Sequence, residues 1–121
     1  MRALLIVAHG SRRAASNDEV RTLCDAVAAR DEGLYDAVRC AFLELAEPSI
    51  EQGLAALMRE GMRDITVVPY FLSAGRHVAE DIPAAVAKVP IPEGVSVRIA
   101  PYVGSSAAMV ELLLAQGRTG G

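Results

Sequence analysis

The feature that most constrains the fold is the alternation of short aliphatic runs with segments that repeat apolar residues at helical spacing. Four such runs lie at residues 2–8, 35–43, 64–70 and 95–100. This order predicts an α/β fold with a four-stranded parallel sheet flanked by helices, because right-handed helical crossovers join parallel neighbours and cover both faces. A flavodoxin-like strand order, 2-1-3-4, gives a three-layer unit. The chain is 52% apolar but only 4% aromatic, so we expect an aliphatic core.

Capping residues predict where the first helix begins and which side of it is buried. Ser16 and Glu19 fit a capping box at its amino end. Val20, Leu23 and Val27 then recur at helical spacing and form one apolar stripe. We expect this stripe to lie in the core.

The later helices also have boundary residues. Pro48 suits the first turn of the second helix, and Asp81 suits the cap of a third. Ser105 or Ser106 suits the start of the last helix. Residues 117–121 are expected to form a loose C-terminal tail, which leaves a single domain over residues 1–116.

Polar side chains follow three of the predicted strands. His9 comes directly after the run 4–8, Glu44 follows the second strand, and His77 lies just past the third. Parallel strands end at the same edge of a sheet, and ligands bind in the crevice beyond that edge. We therefore expect these three side chains to meet on one rim.

Two imidazoles and a carboxylate form a ligand set for a divalent metal such as iron, cobalt, nickel or zinc. The sequence has no HExxH and no CxxC array, so spacing alone is a weak signal. The simpler alternatives stay open at this point. His9 and His77 could be loop histidines bonded to backbone, and Glu44 could stabilise the start of a helix.

Side chains next to the two histidines suit an anionic ligand. Ser11, Arg12 and Arg13 follow His9, and Arg76 precedes His77. Guanidinium groups bind carboxylates in bidentate fashion, so these residues are candidate substrate anchors. The alternative is a turn at Ser11 followed by solvated arginines.

Charge and cysteine content exclude several classes of protein. The 121 residues carry a net charge of −3 and a pI near 5.3, which argues against a nucleic-acid binder. We see no secretory leader and no apolar run of membrane-spanning length, so we expect a cytoplasmic protein without membrane contacts. Cys24 and Cys40 lie in apolar segments and are expected to be reduced core thiols.

Three blocks of the sequence resemble one known family. Residues 4–12 read LLIVAHGSR, residues 41–48 contain AFLE and a proline, and residues 67–83 contain VVPYFLSAGRHV followed by DIP. The blocks resemble, in the same order, those of the CbiX/SirB family of class II tetrapyrrole chelatases. They span nearly the whole chain, so the combination is far more specific than any single block.

The resemblance implies a chelatase, that is, a lyase that inserts Co²⁺ or Fe²⁺ into sirohydrochlorin or a related tetrapyrrole in cobalamin or siroheme biosynthesis. It implies that His9 and His77 bind the metal and that Glu44 joins them in catalysis. No permanently bound cofactor is implied, and the metal, Co²⁺, Fe²⁺ or Ni²⁺, is a substrate. The chain has the length of the short members, which resemble half of a two-lobed chelatase and are expected to act as homodimers.

Two other functions compete with chelation. A non-catalytic carrier of metal or tetrapyrrole would use the same site without raising the insertion rate. A phosphoryl-transfer enzyme would use His9 as its nucleophile, with residues 10–13 holding phosphate. Histidine phosphatases have an arginine directly before the His-Gly pair, whereas this chain has Ala8, which counts against that function.

Overall fold

The computed structural model describes residues 1–120 and contains one parallel sheet. Its strands are β1 (Arg2–Ala8), β2 (Ala37–Phe42), β3 (Asp64–Pro69) and β4 (Ser96–Ile99). They lie in the order β2-β1-β3-β4, so the predicted strand order is confirmed. The order places β1 between β2 and β3. His9 and Glu44 follow the ends of β1 and β2, and His77 lies beyond the loop that follows β3.

Helices lie on both faces of this sheet. They are α1 (Ala14–Arg30), α2 (Ile50–Arg59), α3 (Ile82–Ala87) and α4 (Ala108–Thr119). Alternate residues of a strand point to opposite faces. Leu5 and Val7 face α2 and α3 in a core that contains Leu54 and Ile82. Cys40 faces the other side, where its thiol contacts Cys24 of α1.

Two sequence-based expectations for α1 are wrong. The helix begins at Ala14 with Arg13 as its cap, so Ser16 lies inside the first turn and forms no capping box. Leu23 is 37% exposed, and Val20 and Val27 are only half-buried. The apolar stripe is incompletely covered because α1, among the elements within residues 1–120, packs mainly against β2.

The start of α2 also differs from the expectation. Ser49 is the cap, and its hydroxyl accepts a hydrogen bond from the Gln52 backbone N–H at 3.1 Å. The Gln52 side-chain oxygen accepts in turn from the Ser49 backbone N–H at 2.8 Å. Pro48 therefore precedes the helix rather than forming its first turn.

The carboxyl-terminal helix has an unusual setting. It follows a 3₁₀ turn, Val103–Ser105, packs mainly against that turn, and contains no buried residue. The expectation that Ser105 or Ser106 caps this helix is wrong, because Ala107 is the cap and makes no side-chain capping hydrogen bond. The Ser106 hydroxyl accepts from the Ala108 N–H at 3.1 Å, one residue before the cap. The prediction of a loose tail over residues 117–121 is wrong for 117–119, because α4 continues through Thr119. Gly121 lies outside the described residues.

Within residues 1–120, no helix combines the length and apolar character needed to cross a bilayer.

Candidate functional site

The backbone at the carboxyl end of β1 brings two candidate residues together. Hydrogen bonds continue past the end of β1, since the Glu44 N–H donates to the His9 carbonyl at 3.0 Å. Gly10 has a φ of +95° and lies so close to Glu44 that a Cβ at this position would overlap the Glu44 carbonyl oxygen. Glycine is required here because only it combines this φ with so close an approach. The turn directs the His9 and Glu44 side chains to the same place.

Both ring nitrogens of His9 face oxygen atoms. Nε2 lies 3.0 Å from Oε2 of Glu44, and Nδ1 lies 3.0 Å from the carbonyl oxygen of Gly10. A neutral imidazole carries one N–H, so His9 donates in one of these two contacts at a time. A cation that binds Nε2 must displace the Glu44 carboxylate from this nitrogen.

His77 is held by a different carboxylate. It begins a π-helical turn, His77–Asp81, which the Ile82 N–H closes by donating to the His77 carbonyl. Nδ1 of His77 lies 2.8 Å from Oδ2 of Asp81. When Nδ1 donates to this carboxylate, Nε2 keeps a free lone pair, as in metal sites where a carboxylate orients the histidine. Within residues 1–120 no protein atom is hydrogen-bonded to Nε2.

The two imidazoles meet at the rim. Their ring centroids are 4.6 Å apart and their planes are inclined by 51°. The Phe71 ring lies against both, at 6.5 Å from His9 and 6.2 Å from His77. The imidazole side chains are 43% and 44% exposed, so they are supported from below and open to solvent above. The expected meeting of His9, His77 and Glu44 is observed, and their roles stay predictions.

The site consists of two histidine–carboxylate pairs, His9 with Glu44 and His77 with Asp81, rather than a closed set of metal ligands. Within residues 1–120, no set of three or more His, Cys, Asp or Glu side chains surrounds a common point. An open pair of imidazoles suits a metal that is bound briefly and passed on.

The predicted anchors lie on loops beside this rim. The buried Asn17 fixes the first loop, since its side chain accepts from the Ser11 N–H at 2.9 Å and donates to the Ser11 carbonyl at 2.8 Å. The Ser11 hydroxyl accepts from the Arg13 N–H, and the Arg12 and Arg13 side chains are exposed. Arg76 is also exposed and lies 3.4 Å from Glu80. The structure thus holds Ser11 in a turn and leaves the arginines at the surface.

Sequence reasoning missed two residues of this region. Asp81 was expected to cap a helix, but its side chain makes no capping hydrogen bond and pairs with His77 instead. The four-residue spacing of His77 and Asp81 was the available signal, because such pairs meet on one helix face. Asn17, which lies between the predicted capping residues Ser16 and Glu19, fixes the loop that carries Ser11.

Cys24 and Cys40 lie away from the rim, in a groove of about 370 Å³ beside β2. Both are free thiols, as expected. Burial raises the pKa of Cys24 to about 11 from its ordinary value of 9.0, and burial also raises the pKa of Cys40. Thiols that stay protonated are poor nucleophiles and poor metal ligands, which leaves the rim as the candidate site.

The family model of CbiX matches residues 3–119. The chain belongs to the CbiX family. A relative from Methanococcus aeolicus named sirohydrochlorin cobaltochelatase is 27% identical over 94% of this chain and 96% of its own length. A protein of the same name from Methanococcus maripaludis is 36% identical over 69% of this chain, and the match spans 56% of that protein. The sirohydrochlorin ferrochelatase of Arabidopsis thaliana chloroplasts is 37% identical over 69% of this chain and 36% of its own length.

Solved structures of the CbiX family have the same fold. The cobalamin (vitamin B12) biosynthesis CbiX protein of Marinobacter aquaeolei superposes on this chain with a TM-score of 0.83 and is 28% identical to it. The match covers 98% of this chain and 96% of the Marinobacter protein. The sirohydrochlorin chelatase SirB of Bacillus subtilis, solved in complex with cobalt, has the same TM-score and identity. The match covers 98% of this chain but 50% of SirB, so this CbiX-family chain corresponds to half of SirB.

Proposed function

We propose that this CbiX-family protein is a chelatase, a lyase that inserts Co²⁺ or Fe²⁺ into sirohydrochlorin or a closely related tetrapyrrole in cobalamin or siroheme biosynthesis. The observation that carries the proposal is the pair of imidazoles, 4.6 Å apart, at the carboxyl edge of the sheet. The names of its relatives, sirohydrochlorin cobaltochelatase and ferrochelatase, support the substrate, and the SirB complex supports cobalt as a metal.

Metal capture begins at His77 in this proposal. Its Nε2 is available because Nδ1 is held by Asp81 at 2.8 Å. The second ligand is Nε2 of His9 in the tautomer whose Nδ1–H donates to the Gly10 carbonyl, once Glu44 turns away from its position at 3.0 Å. Neutral imidazole binds cobalt, iron and nickel well, so the site accepts several divalent ions. The metal remains a substrate, and no permanent cofactor is part of the proposal.

Insertion also requires acceptors for protons. The incoming M²⁺ replaces two pyrrole N–H protons, and the products are the metallated ring and two protons. Glu44 takes the first of these because it is a carboxylate, about half-exposed, that reaches both His9 and solvent. His9 takes the second once its nitrogen has released the metal to the ring.

The substrate carries carboxylates, and the loops beside the rim carry positive charge. We assign Arg12, Arg13 and Arg76 as carboxylate anchors because their exposed guanidinium groups lie within four residues of His9 or His77. Ser11 contributes a hydroxyl from the turn that Asn17 holds. Flexible anchoring by exposed arginines suits a large, flat, polyanionic ring better than a closed pocket would.

A homodimer is part of this proposal. The chain corresponds to half of SirB, and its rim is open to solvent above the two imidazoles. A second copy would supply the other wall of a cleft for a flat ring.

We also propose the cytoplasm as the compartment. Cys24 and Cys40 are in contact as free thiols without a disulfide bond, which is typical of a reducing environment.

The proposal is tested by mixing purified protein with sirohydrochlorin and Co²⁺ and following the absorbance change of the ring. We expect insertion to be faster than in a control without protein. Equal rates with and without protein, together with retained cobalt binding, would support the carrier function instead. Repeating the assay with Fe²⁺ and Ni²⁺ ranks the metals.

Two substitutions test the site itself. His9→Ala and His77→Ala should each reduce the rate by at least about 10²-fold, because each removes a metal ligand and a catalytic group. Both side chains are partly exposed, so circular dichroism should show an intact fold. Lys88→Ala, at the end of α3, is the control and should retain the parent rate. Full activity in both histidine variants would contradict the assignment.

A further inference from the structure

The residue that follows Glu44 has a strained backbone. Leu45 has a φ of +66°, and within residues 1–120 it is the one residue other than glycine with a positive φ. Bulky L-residues rarely adopt this left-handed conformation, and it persists only where surrounding contacts hold it. Leu45 is 52% exposed, so the packing of its own side chain does not supply that hold. The conformation of the chain next to Glu44 therefore depends on contacts that neighbouring residues make.

Backbone hydrogen bonds fix the two ends of the Glu44 loop, residues 43–48. The Glu44 N–H donates to the His9 carbonyl at 3.0 Å, and the Phe42 N–H donates to the Pro48 carbonyl at 2.8 Å. Between these points, residues 45–47 make no backbone–backbone hydrogen bond within the described chain. The strained middle of the Glu44 loop must therefore be held by a side chain.

Arg21 of α1 supplies this contact. Its Nη2 donates to the Glu47 carbonyl at 3.0 Å, across 26 residues of sequence. Its Nη1 donates to Oδ1 of Asp18 at 2.9 Å. The guanidinium carbon lies over the Phe42 ring, 5.1 Å from its centre, which is within the range of a cation–π contact. A planar guanidinium held at three points keeps one orientation, so Arg21 fixes the position of the Glu47 carbonyl.

The aromatic partner of Arg21 packs against the turn that carries His9. Phe42 is fully buried, and its Cβ would lie 3.4 Å from a Cβ built on Gly10. One guanidinium therefore contacts both the ring that supports the His9 turn and the loop that carries Glu44. Arg21 connects α1 to both halves of the His9–Glu44 pair.

We infer that Arg21 is a positioning residue that holds Glu44 against Nε2 of His9. Without Arg21, nothing from α1 opposes the strain at Leu45, the Glu44 loop relaxes, and the carboxylate leaves its position 3.0 Å from His9. The inference rests on the proposed function, in which Glu44 accepts a pyrrole proton. The position of Glu44 can nevertheless be measured without any tetrapyrrole.

The simpler alternative for Arg21 is a surface ion pair with Asp18. The two side chains are three residues apart on α1 and are 43% and 69% exposed. Exposed pairs of this kind contribute little to stability, and the loss of one would leave the candidate site unchanged. The bond to Glu47 and the contact with Phe42 favour a positioning role, because both connect α1 to distant residues.

The tautomer of His9 reports where Glu44 lies. In the parent, we expect Nε2–H to donate to Glu44 rather than Nδ1–H to the Gly10 carbonyl, because a carboxylate is the stronger acceptor. In Arg21→Ala the carboxylate is displaced, so the proton should move to Nδ1 and the tautomer ratio should reverse. Nitrogen-15 NMR distinguishes the two forms at about pH 8, where imidazole is neutral. The chain has two histidines, and the signals of His77 should not change.

Catalysis and metal binding should respond differently to the same substitution. Arg21→Ala should lower kcat for cobalt insertion about 10-fold to 10²-fold without changing KM for sirohydrochlorin, because it displaces a proton acceptor. Co²⁺ binding, measured by calorimetry without tetrapyrrole, should not weaken, because the Nδ1–H tautomer leaves Nε2 of His9 free. Arg30→Ala is the matched control, since it removes the same charge from the last turn of the same helix. It should keep the parent values.

A second substitution tests the strain directly. Asparagine tolerates a positive φ better than leucine does, so Leu45→Asn added to Arg21→Ala should keep the Glu44 loop in place. We expect this double variant to recover the parent tautomer of His9 and most of the lost rate. Arg21→Lys keeps the charge but not the planar fork, so it should resemble Arg21→Ala. It carries the same test if Arg21→Ala does not fold.

The outcomes separate this inference from the proposed function. Parent signals of His9 in Arg21→Ala would refute the inference, and so would a parent rate in Arg21→Lys. Changes in the His77 signals as well, with a large loss of stability in urea, would show a general packing role and also overturn it. If the parent inserts no metal but the His9 tautomer reverses as expected, the chelatase proposal fails and the positioning of Glu44 by Arg21 stands.

Discussion

Replacing Gly10 by alanine should damage both the fold and the candidate site, for reasons that can be separated. Gly10 has a φ of +95°, which L-residues with a Cβ rarely adopt. The added Cβ would also lie 2.9 Å from the Glu44 carbonyl carbon and would overlap its oxygen. Because both neighbouring atoms belong to backbone, no side-chain rotation can relieve the overlap.

The magnitude follows from these two effects. The positive φ costs about 1–2 kcal/mol. Overpacking costs about 1–3 kcal/mol more, so the free energy of unfolding should fall by roughly 2–5 kcal/mol. Gly33→Ala isolates the first effect, since Gly33 has a φ of +86° with no atom within 4 Å of the added Cβ. Gly75→Ala has neither a positive φ nor a close neighbour and serves as the neutral control.

The overlap between the added Cβ and the Glu44 backbone also predicts a loss of activity. Glu44 must move away from Gly10, which breaks the 3.0 Å contact between its carboxylate and Nε2 of His9. A misplacement of about 1 Å in a catalytic group can cost about 10²-fold in rate. We expect a loss of this size in the cobalt-insertion assay for Gly10→Ala and none for Gly33→Ala.

Urea denaturation followed by circular dichroism measures the three free energies of unfolding. The expected order of destabilisation is Gly10→Ala, then Gly33→Ala, then Gly75→Ala. If Gly10→Ala proved no more destabilising than Gly33→Ala, the close approach of the Gly10 and Glu44 backbones would be refuted. Unchanged insertion by a folded Gly10→Ala protein would refute the need for Glu44 at this position.

Two further predictions concern side chains that the rim and the core hold in place. Asp81→Asn should weaken Co²⁺ binding about 10–100-fold, measured by calorimetry without tetrapyrrole, because His77 loses the carboxylate that orients it. The control Glu93→Gln should bind Co²⁺ normally, and equal affinity in both variants would show that Asp81 is not a positioning residue. The unfolded Cys24 thiol releases its proton near pH 9.0 and the folded one near pH 11, so the free energy of unfolding should decline across that interval. Cys24→Ala should show a smaller decline, and an identical pH profile would contradict burial as the cause of the raised pKa.

The topology and the position of the site could be predicted from the sequence because both depend on local pattern. The aliphatic runs and the helical segments between them specify β–α alternation, and parallel strands place His9, Glu44 and His77 at one edge. The three blocks that resemble the CbiX/SirB family added the chemistry. These signals lie in short stretches of the chain, so no knowledge of distant packing was needed.

Side-chain partners were decided only by the tertiary structure. The sequence position of Asp81 suits a helix cap as well as it suits a partner for His77. Only the π-helical turn shows that its carboxylate reaches Nδ1 of His77. Ser16 and Glu19 have the pattern of a capping box, but α1 begins three residues earlier, with Arg13 as its cap, and Asn17 bonds the Ser11 loop. Capping signals are short and recur by chance, so the global path of the chain selects among them.

Periodicity likewise specified which residues of α1 and α4 are apolar but not what covers them. Burial depends on which surface arrives opposite a helix, and that surface comes from distant parts of the chain or from another copy. The sequence by itself therefore determined the order of strands and helices and the edge at which polar chemistry collects. The tertiary structure decided which carboxylate holds each imidazole and left two apolar surfaces unpaired, because both outcomes depend on contacts between residues far apart in the chain.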